Sequence, residues 1–295
     1  MALSDGLLFQ DLTREEIRQA REGGALVAVP IGAIEQHGAH LPVGTDARLS
    51  AAVSLLAARR TKGPRVLVAP LLPYGFSPHH ISHPGTVSIR LSTYLSLLED
   101  IARSLLDTGF RRIVFVNGHG GNSAPLRSKV AEMVTDGIPV TGVDYWVPSD
   151  QTWIAMLKGE LKRFGHACEF ETSLMMALEE GETPLRSRIR ARISGLEPRI
   201  LQPWVIPGET TDAISDARAA WPPIFQGDDR GYHGDPAAAT VENGIAILEV
   251  LADRLAGFYD AFAAMPIRLG RSAHLDERSV SLPLINKRNS IEGLQ

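Results

Sequence analysis

Two short clusters of acidic and imidazole side chains could bind divalent metal ions. Glu35 and His37 belong to the first, with Asp46 shortly after them, and His119 lies in a glycine-rich run, residues 117–122. The spacing of Glu35 and His37 points both side chains to one side of an extended segment. Carboxylates mixed with imidazoles suit Zn, Mn or Fe. A carboxylate such as Asp46 can bridge two ions, which would hold and activate a hydroxide between them.

Each cluster also has a simpler interpretation. A Glu-x-His pair in a loop can be structural, and Asp46 can be the N-cap of a helix. The run 117–122 can be a turn that binds phosphate. The metal site is favoured because both clusters follow predicted strands, and ligands bind at the carboxyl ends of strands in open parallel sheets.

A third cluster, residues 165–173, could supply acid–base chemistry. His166 is a candidate general acid or base, because imidazole titrates near neutral pH. Glu169 or Glu171 could supply a further metal ligand, although a helix N-terminus also gathers carboxylates to suit its dipole. Cys168 is interpreted as a small buried side chain rather than a nucleophile, since no paired base is evident.

Histidines are also concentrated in the loop at residues 79–86, with His79, His80 and His83. A second metal site is one interpretation, but lining of a substrate pocket or a solvated loop is favoured. The tryptophans are expected to pack in the core or at an interface, with a lid over a flat substrate as the alternative; they are Trp146, Trp153, Trp204 and Trp221.

Short apolar runs alternate with amphipathic segments, and these elements must position the clusters. Strands are predicted at residues 25–31, 65–69, 112–116 and 138–143, and helices at 13–21, 47–60, 92–107, 123–135 and 240–262. This alternation implies an α/β fold with a parallel sheet covered on both faces. Residues 146–177 are predicted to be helical with a break at Gly165, and residues 180–235 to form loops over the site.

Length and composition limit the classes of function. The chain has 295 residues, a formal net charge of −4 and no long basic stretch, which argues against nucleic acid as a partner. Neither a secretory signal nor an apolar run long enough to span a bilayer is evident, so we expect a cytoplasmic protein without a membrane partner. We expect one domain over residues 1–265 and a C-terminal arm or tail over residues 266–295.

These motifs resemble the creatininase (creatinine amidohydrolase) family. The matching stretches are residues 32–42 with 45–46, 117–122 and 166–173, followed by a closing segment at 231–236. The resemblance implies a three-layer α/β/α sandwich with a mostly parallel sheet and two divalent metal ions, Zn favoured and Mn or Fe as alternatives. It further implies that Glu35, Asp46 and His119 hold one ion, and that His37 and the bridging Asp46 hold the other.

Two positions depart from the family pattern. Where creatininase has a glutamate ligand for the second ion, this chain has Gly121, and we expect Glu171 to supply that ligand and so to serve the catalytic centre. Lys162 stands where creatininase has a substrate-stacking tryptophan. His166 matches the histidine that protonates the leaving nitrogen in the family. The family chemistry is therefore expected, but creatinine is not the expected substrate.

The sequence thus predicts a metal-dependent amidohydrolase in which a metal-bound hydroxide attacks a small amide, cyclic amides favoured, with His166 as proton donor. Alternative substrates of a hydrolase are a cyclic ketone such as a dehydro-inosose, or a formyl group. A different class of function is a non-catalytic, metal-stabilised oligomeric binding protein. The partners expected are a small-molecule substrate and further copies of the chain, with a hexamer favoured.

Overall fold

A computed structural model describes residues 6–199 and 230–267 of the protein. Within these residues, parallel strands form one sheet in the order β2-β1-β3-β4. The strands are β1 (Leu26–Ile31), β2 (Val66–Val68), β3 (Ile113–Asn117) and β4 (Val140–Asp144). The predicted strand order along the chain is confirmed, and β1 and β3 lie at the centre of the sheet.

The described α-helices flank this sheet. They are α1 (Arg14–Glu22), α2 (Thr45–Ala58), α3 (Leu91–Asp107), α4 (Gly120–Thr135), α5 (Glu169–Ala177), α6 (Pro184–Ile193) and α7 (Val241–Ala264). Short 3-10 turns lie at Phe9–Asp11, Pro78–His80, Val147–Ser149, Thr152–Met156 and Pro236–Ala238. None of the described helices is long and apolar enough to cross a membrane.

Alternate side chains of each strand enter different hydrophobic cores. Leu26 and Ala28 of β1 pack in a core that includes residues of α2, α5 and α7. Val27 and Val29 pack in a second core with residues of α1, α3 and α4. The predicted α/β/α sandwich is therefore confirmed, and burial of the sheet on both faces explains why its strands are almost entirely apolar.

The prediction of a helix over residues 146–177 is wrong in its first part. Asp150 and Gln151 have φ angles of 50° and 54°, in the left-handed region that no right-handed helix contains. Pro148 lies in a 3-10 turn just before them, and the regular helix α5 begins only at Glu169.

The interpretation of residues 180–235 as loops is wrong for α6. Thr183 caps this helix by accepting a hydrogen bond from the Arg186 amide, and Pro184 occupies its first position. Its buried face includes Ile189 and Ile193, which repeat at helical spacing between arginines. The arginines mask this apolar face in the sequence.

Several predictions concern residues outside the described ranges. Trp204, Trp221, the loop residues 200–229 and most of the expected C-terminal arm, residues 268–295, lie there. Trp146 and Trp153 are described, and both are buried beside Phe164. Core packing is therefore confirmed for these two tryptophans.

Glycines let α2 approach the ends of the central strands. A Cβ atom on Gly32, just after β1, would lie 2.6 Å from the Ala47 backbone nitrogen. A Cβ atom on Gly118, just after β3, would lie 2.5 Å from the carbonyl oxygen of Asp46. The first turn of α2 is thereby held against both strand ends, where the predicted metal ligands begin.

This close approach makes Gly118→Ala destabilising. The added methyl group must displace the α2 backbone, and we expect overpacking to lower the free energy of unfolding by about 1–3 kcal/mol. Gly257→Ala is the matched control, because Gly257 is an exposed residue of α7 with open space around its Cβ position. This control should raise stability by up to about 1 kcal/mol. Urea unfolding measures both changes, and equal stability of the two variants would contradict the packing argument.

Candidate metal centre and active site

Asp46 lies at the centre of a buried cluster at the carboxyl ends of β1 and β3. It belongs to the first turn of α2, whose N-cap is Gly44, so the alternative of a capping aspartate is wrong. Its Oδ1 atom lies 3.1 Å from His37 Nε2, and its Oδ2 atom lies 3.0 Å from His119 Nδ1. The two carboxylate oxygens of Asp46 therefore face different histidines, as a bridging ligand would require.

The other ring nitrogens of these histidines contact backbone carbonyls. His37 Nδ1 is 3.1 Å from the carbonyl oxygen of Glu35, and His119 Nε2 is 3.2 Å from that of Phe76. A carbonyl oxygen only accepts hydrogen bonds, so these nitrogens donate. In the neutral rings, the lone pairs of His37 Nε2 and His119 Nδ1 then face Asp46. Hydrogen bonds of this kind orient histidines that bind metals.

Glu35 lies on the His119 side of the cluster. Its Oε2 atom is 3.3 Å from His119 Nδ1 and accepts a short hydrogen bond from the Ser77 hydroxyl. Its Oε1 atom is 3.3 Å from His80 Nε2. Both carboxylate oxygens of Glu35 are thus fixed by neighbouring side chains.

The structure separates the two glutamates of the third motif. Glu171 lies in the first turn of α5, with Oε1 at 3.9 Å from His37 Nε2. Glu169 lies elsewhere and accepts hydrogen bonds from the amides of Lys158 and Gly159, at 2.7 and 2.9 Å. Glu171 therefore lies where it could bind a metal ion, whereas Glu169 stabilises the loop at residues 158–159 through hydrogen bonds.

The cluster concentrates negative charge in a dry environment. Glu35, Asp46 and Glu171 are all buried, and their ion-pair partners in the described structure are imidazoles. Burial raises the pKa of Glu35, and it raises that of Glu171 to about 7. Burial opposes charge on His37 as well, yet Asp46 and the other two carboxylates raise the pKa of His37 to about 10. The site therefore attracts positive charge.

These residues fit divalent ions. Buried Asp46 Oδ2 receives no hydrogen bond from the described residues. Among the described residues, three sets have ligand atoms within 4.8 Å of one another: Glu35, His79 and His119; Glu35, His37 and His166; and His37, Asp46 and Glu171. Buried carboxylates are costly unless a cation compensates them, and mixed oxygen and imidazole donors suit Zn or Mn.

His166 borders the same cluster on its more open side. Its Nδ1 atom lies 3.6 Å from Glu35 Oε1, and its Nε2 atom lies 2.8 Å from the carbonyl oxygen of Gln36. The ring packs between His37 and His80, with centroids 4.3 and 4.2 Å away. Burial, together with nearby His37, holds the pKa of His166 well below its usual range. Its side chain is 13% exposed, so a bound molecule can reach it.

The backbone around His166 is fixed by a short pairing with the closing segment. The His166 amide donates to the carbonyl oxygen of His233 at 2.8 Å, and the His233 amide donates back at 2.7 Å. A Cβ atom on Gly165 would lie 1.9 Å from the His233 carbonyl oxygen, so only glycine fits there. The motif at residues 231–236 thereby positions the candidate proton donor.

Hydrogen bonds fix the glycine-rich run against the end of β1. The His119 amide donates to Asn117 Oδ1, and the Asn122 amide donates to the carbonyl oxygen of His119, both at 3.1 Å. Asn122 in turn donates to the Gly32 carbonyl oxygen at 3.0 Å. Helix α4 begins at Gly120 rather than at the predicted residue 123.

The solvated-loop interpretation is wrong for His79 and His80. Both are buried against the cluster, and Ser77 reaches it from the same loop. Burial, with His119 beside it, lowers the pKa of His79 to about 3. Ser77, His80 and Gln36 are not predicted from the sequence as metal ligands or catalytic residues. The concentration of histidines is a signal for His80, but nothing in the sequence distinguishes Ser77.

A cavity of about 380 Å³ adjoins the site at Gln36. His40, His83, Arg230 and Tyr232 are among the residues that line it. The Gln36 side-chain nitrogen lies 3.0 Å from His166 Nε2, which connects the cavity to the candidate proton donor. The volume is at the lower end of the range for small-molecule sites.

Comparison with known proteins agrees with this fold and cluster. The profile of the creatininase family, described as creatinine amidohydrolase, matches residues 10–259. The chain belongs to the creatininase family. Its relatives by sequence and structure include several hydrolases, and a creatininase crystal structure superposes with a TM-score of 0.69 at 26% identity, covering 89% of this chain and all of that one.

Named relatives differ in the substrates that their names give. A mycofactocin precursor peptide peptidase of Mycobacterium ulcerans is 33% identical over 77% of this chain and 81% of its own length. The creatinine amidohydrolase of Pseudomonas putida is 33% identical over 60% of this chain and 73% of its own length. A 3-dehydro-scyllo-inosose hydrolase of Thermotoga maritima is 34% identical over 39% of this chain and 36% of its own length. Creatininase-family membership therefore leaves the substrate open.

Solved creatininases also indicate which metals the family accepts. One similar structure is a creatininase variant of Zn–Zn type, with a TM-score of 0.67, and another is a Mn creatininase, with a TM-score of 0.65. Both are 26% identical to this chain. These structures support divalent metal ions for the family.

Removal of metal should destabilise the fold, because among the described residues the buried carboxylates would keep only imidazoles as ion-pair partners. We expect a chelator to lower the thermal unfolding midpoint, and Zn²⁺ at about a hundred times its Kd to restore about 2.7 kcal/mol of stability. Chelator already saturated with Zn²⁺ is the control and should leave the midpoint unchanged. An identical midpoint with and without free chelator, in protein shown to release its metal, would contradict the charge argument.

Proposed function

We propose that this chain is a metal-dependent hydrolase that cleaves the C–N bond of a small amide. The observation that carries this proposal is the position of His166. This largely buried imidazole borders the carboxylate and imidazole cluster, with Nδ1 at 3.6 Å from Glu35, and it contacts Gln36, which lines a cavity of about 380 Å³. A metal cluster with a purely structural role would not require such a group.

The cluster divides into two sets of ligands that share Asp46. Glu35, Asp46 and His119 would hold one ion, and His37, Asp46 and Glu171 would hold the other. When bound, such ions lower the pKa of a water molecule from about 16 to about 7 and polarise a carbonyl group. Ser77 and His80 keep Glu35 in place through its two oxygens.

His166 would transfer the proton within this arrangement. In the neutral ring, Nε2 carries the proton and donates it to the Gln36 carbonyl oxygen at 2.8 Å. Nδ1, 3.6 Å from Glu35 Oε1, would accept the proton released when water attacks and would pass it to the departing nitrogen. Packing between His37 and His80 holds the ring in one orientation during both steps.

The substrate class is proposed from the cavity and from the relatives. A cavity of this size suits a small molecule or one end of a longer one. Creatinine amidohydrolase and mycofactocin precursor peptide peptidase, by their names, act on a cyclic amide and on a peptide. We place cyclic amides first and peptides second, because the departures at Gly121 and Lys162 argue against creatinine alone.

A second candidate is the hydrolytic opening of a cyclic ketone of the inosose type, which the Thermotoga maritima relative favours. The same groups would serve, since water attacks a carbonyl carbon in both reactions. Parallel assays of lactams, short peptides, formamides and cyclic diketones separate these classes. Turnover of the ketones alone would replace the amide proposal.

Substitution of His166 tests its role as the proton-transfer group. We expect His166→Ala to retain its metal but to lose turnover by roughly a hundredfold or more. The measurement is kcat on the best amide from the panel, with metal content determined in the same samples. Unchanged kcat would exclude this role for His166.

The two neighbouring glutamates of α5 provide a matched test of metal binding. Glu171→Gln should lose one ion per chain, because Glu171 would ligate the ion shared by His37 and Asp46. Glu169→Gln is the control and should keep both ions, since Glu169 contacts backbone amides instead. Elemental analysis measures both variants. Full metal content in Glu171→Gln would remove Glu171 from the ligand set.

We further propose that the chain forms a homo-oligomer, with a hexamer as the first expectation from the family. Exposed apolar side chains near the site support this proposal; they include Val43, Tyr74, Ile81 and Val87. Light scattering coupled to size exclusion gives the mass in solution directly.

A further inference from the structure

His79 is a buried imidazole beside the proposed metal centre that has no task in the proposed reaction. Its ring lies nearly parallel to that of His119, with centroids 5.5 Å apart and an interplanar angle of 11°. The residue is only 9% exposed. The described structure contains no hydrogen bond to this ring, so its polar atoms have no other visible role.

The ring is also within reach of a shared ion. One of its nitrogen atoms lies within 4.8 Å of ligand atoms of Glu35 and His119, which in turn lie within that distance of each other. His119 Nδ1 lies 3.0 Å from Asp46 Oδ2 and 3.3 Å from Glu35 Oε2. An ion held by Glu35 and His119 would therefore have His79 as its neighbour.

Gly121 provides the space that His79 occupies. A Cβ atom at Gly121 would lie 2.8 Å from His79 Cε1 and 2.4 Å from His119 Nε2. Any larger residue would displace one of the two rings. At the position where the family pattern has a glutamate ligand, this chain instead has a glycine against which an imidazole packs.

We propose that His79 is a metal ligand. Together with Glu35, Asp46 and His119, it completes the site of the first ion. This inference rests on the two-ion centre of the proposed function. It extends that centre, because the family resemblance assigns no role to His79.

Four protein ligands on one ion and three on the other make the two sites unequal. A zinc site with four protein ligands is closed, whereas a site with three keeps a position for water or substrate. The ion held by His37, Asp46 and Glu171 is then the one that exchanges and meets the substrate. The ion held with His79 binds more tightly and leaves last.

Zn²⁺ affinity tests this inference without any substrate. Competition with a chromophoric chelator measures both equilibria on wild type, His79→Phe, His79→Ala and the loop control His83→Ala. His79→Phe keeps a ring that can pack on His119 but removes the lone pair. We expect it to weaken the tighter Zn²⁺ site by roughly tenfold or more, as His79→Ala does, whereas His83→Ala leaves both sites unchanged.

The outcomes separate this inference from the proposed function. Wild-type affinities in His79→Phe would reduce His79 to a packing residue and overturn the inference, while leaving the two-ion centre in place. Absence of Zn²⁺ binding by the wild type would overturn the centre itself. Unfolding of the metal-free variants shows whether each one folds, and His79→Gln replaces any variant that does not.

Discussion

The burial of three carboxylates is the constraint on which this structure depends. Glu35, Asp46 and Glu171 come from a loop, from the start of α2 and from the start of α5. Their ion-pair partners in the described structure are histidines rather than lysines or arginines. Such a cluster repels itself unless a cation occupies it. The fold has to hold these groups together against that repulsion, and a divalent ion offsets it.

The backbone around the cluster explains how the groups are held. Gly32 and Gly118 let the first turn of α2 pack against the ends of β1 and β3. This packing fixes the position of Asp46 beside His119. Asn122 links the turn after β3 to Gly32 and to the loop that carries Ser77. Gly165 allows His166 to pair with the closing segment. The position of each functional side chain thus depends on a close backbone contact.

The sequence predicts the sheet, five of the helices and the residues that gather around Asp46. Those predictions succeed because strand runs, helix caps and the Glu-x-His spacing are local signals. Ser77 and His80 are missed because their position depends on the path of a loop after β2, which no periodicity encodes. Likewise, α6 is missed because arginines surround its apolar face, and the left-handed residues Asp150 and Gln151 interrupt a segment with helical composition.

The central claim is that Asp46 joins two metal sites, and metal content measures this most directly. Elemental analysis of wild type and Asp46→Ala, both prepared without chelator, would show about two ions per chain in the wild type and loss of both in the variant. Loss of both ions at once is the predicted result, because both ligand sets contain Asp46. Wild-type protein that holds no metal, even after addition of Zn²⁺ or Mn²⁺, would contradict the account and leave only the fold in common with the creatininase family.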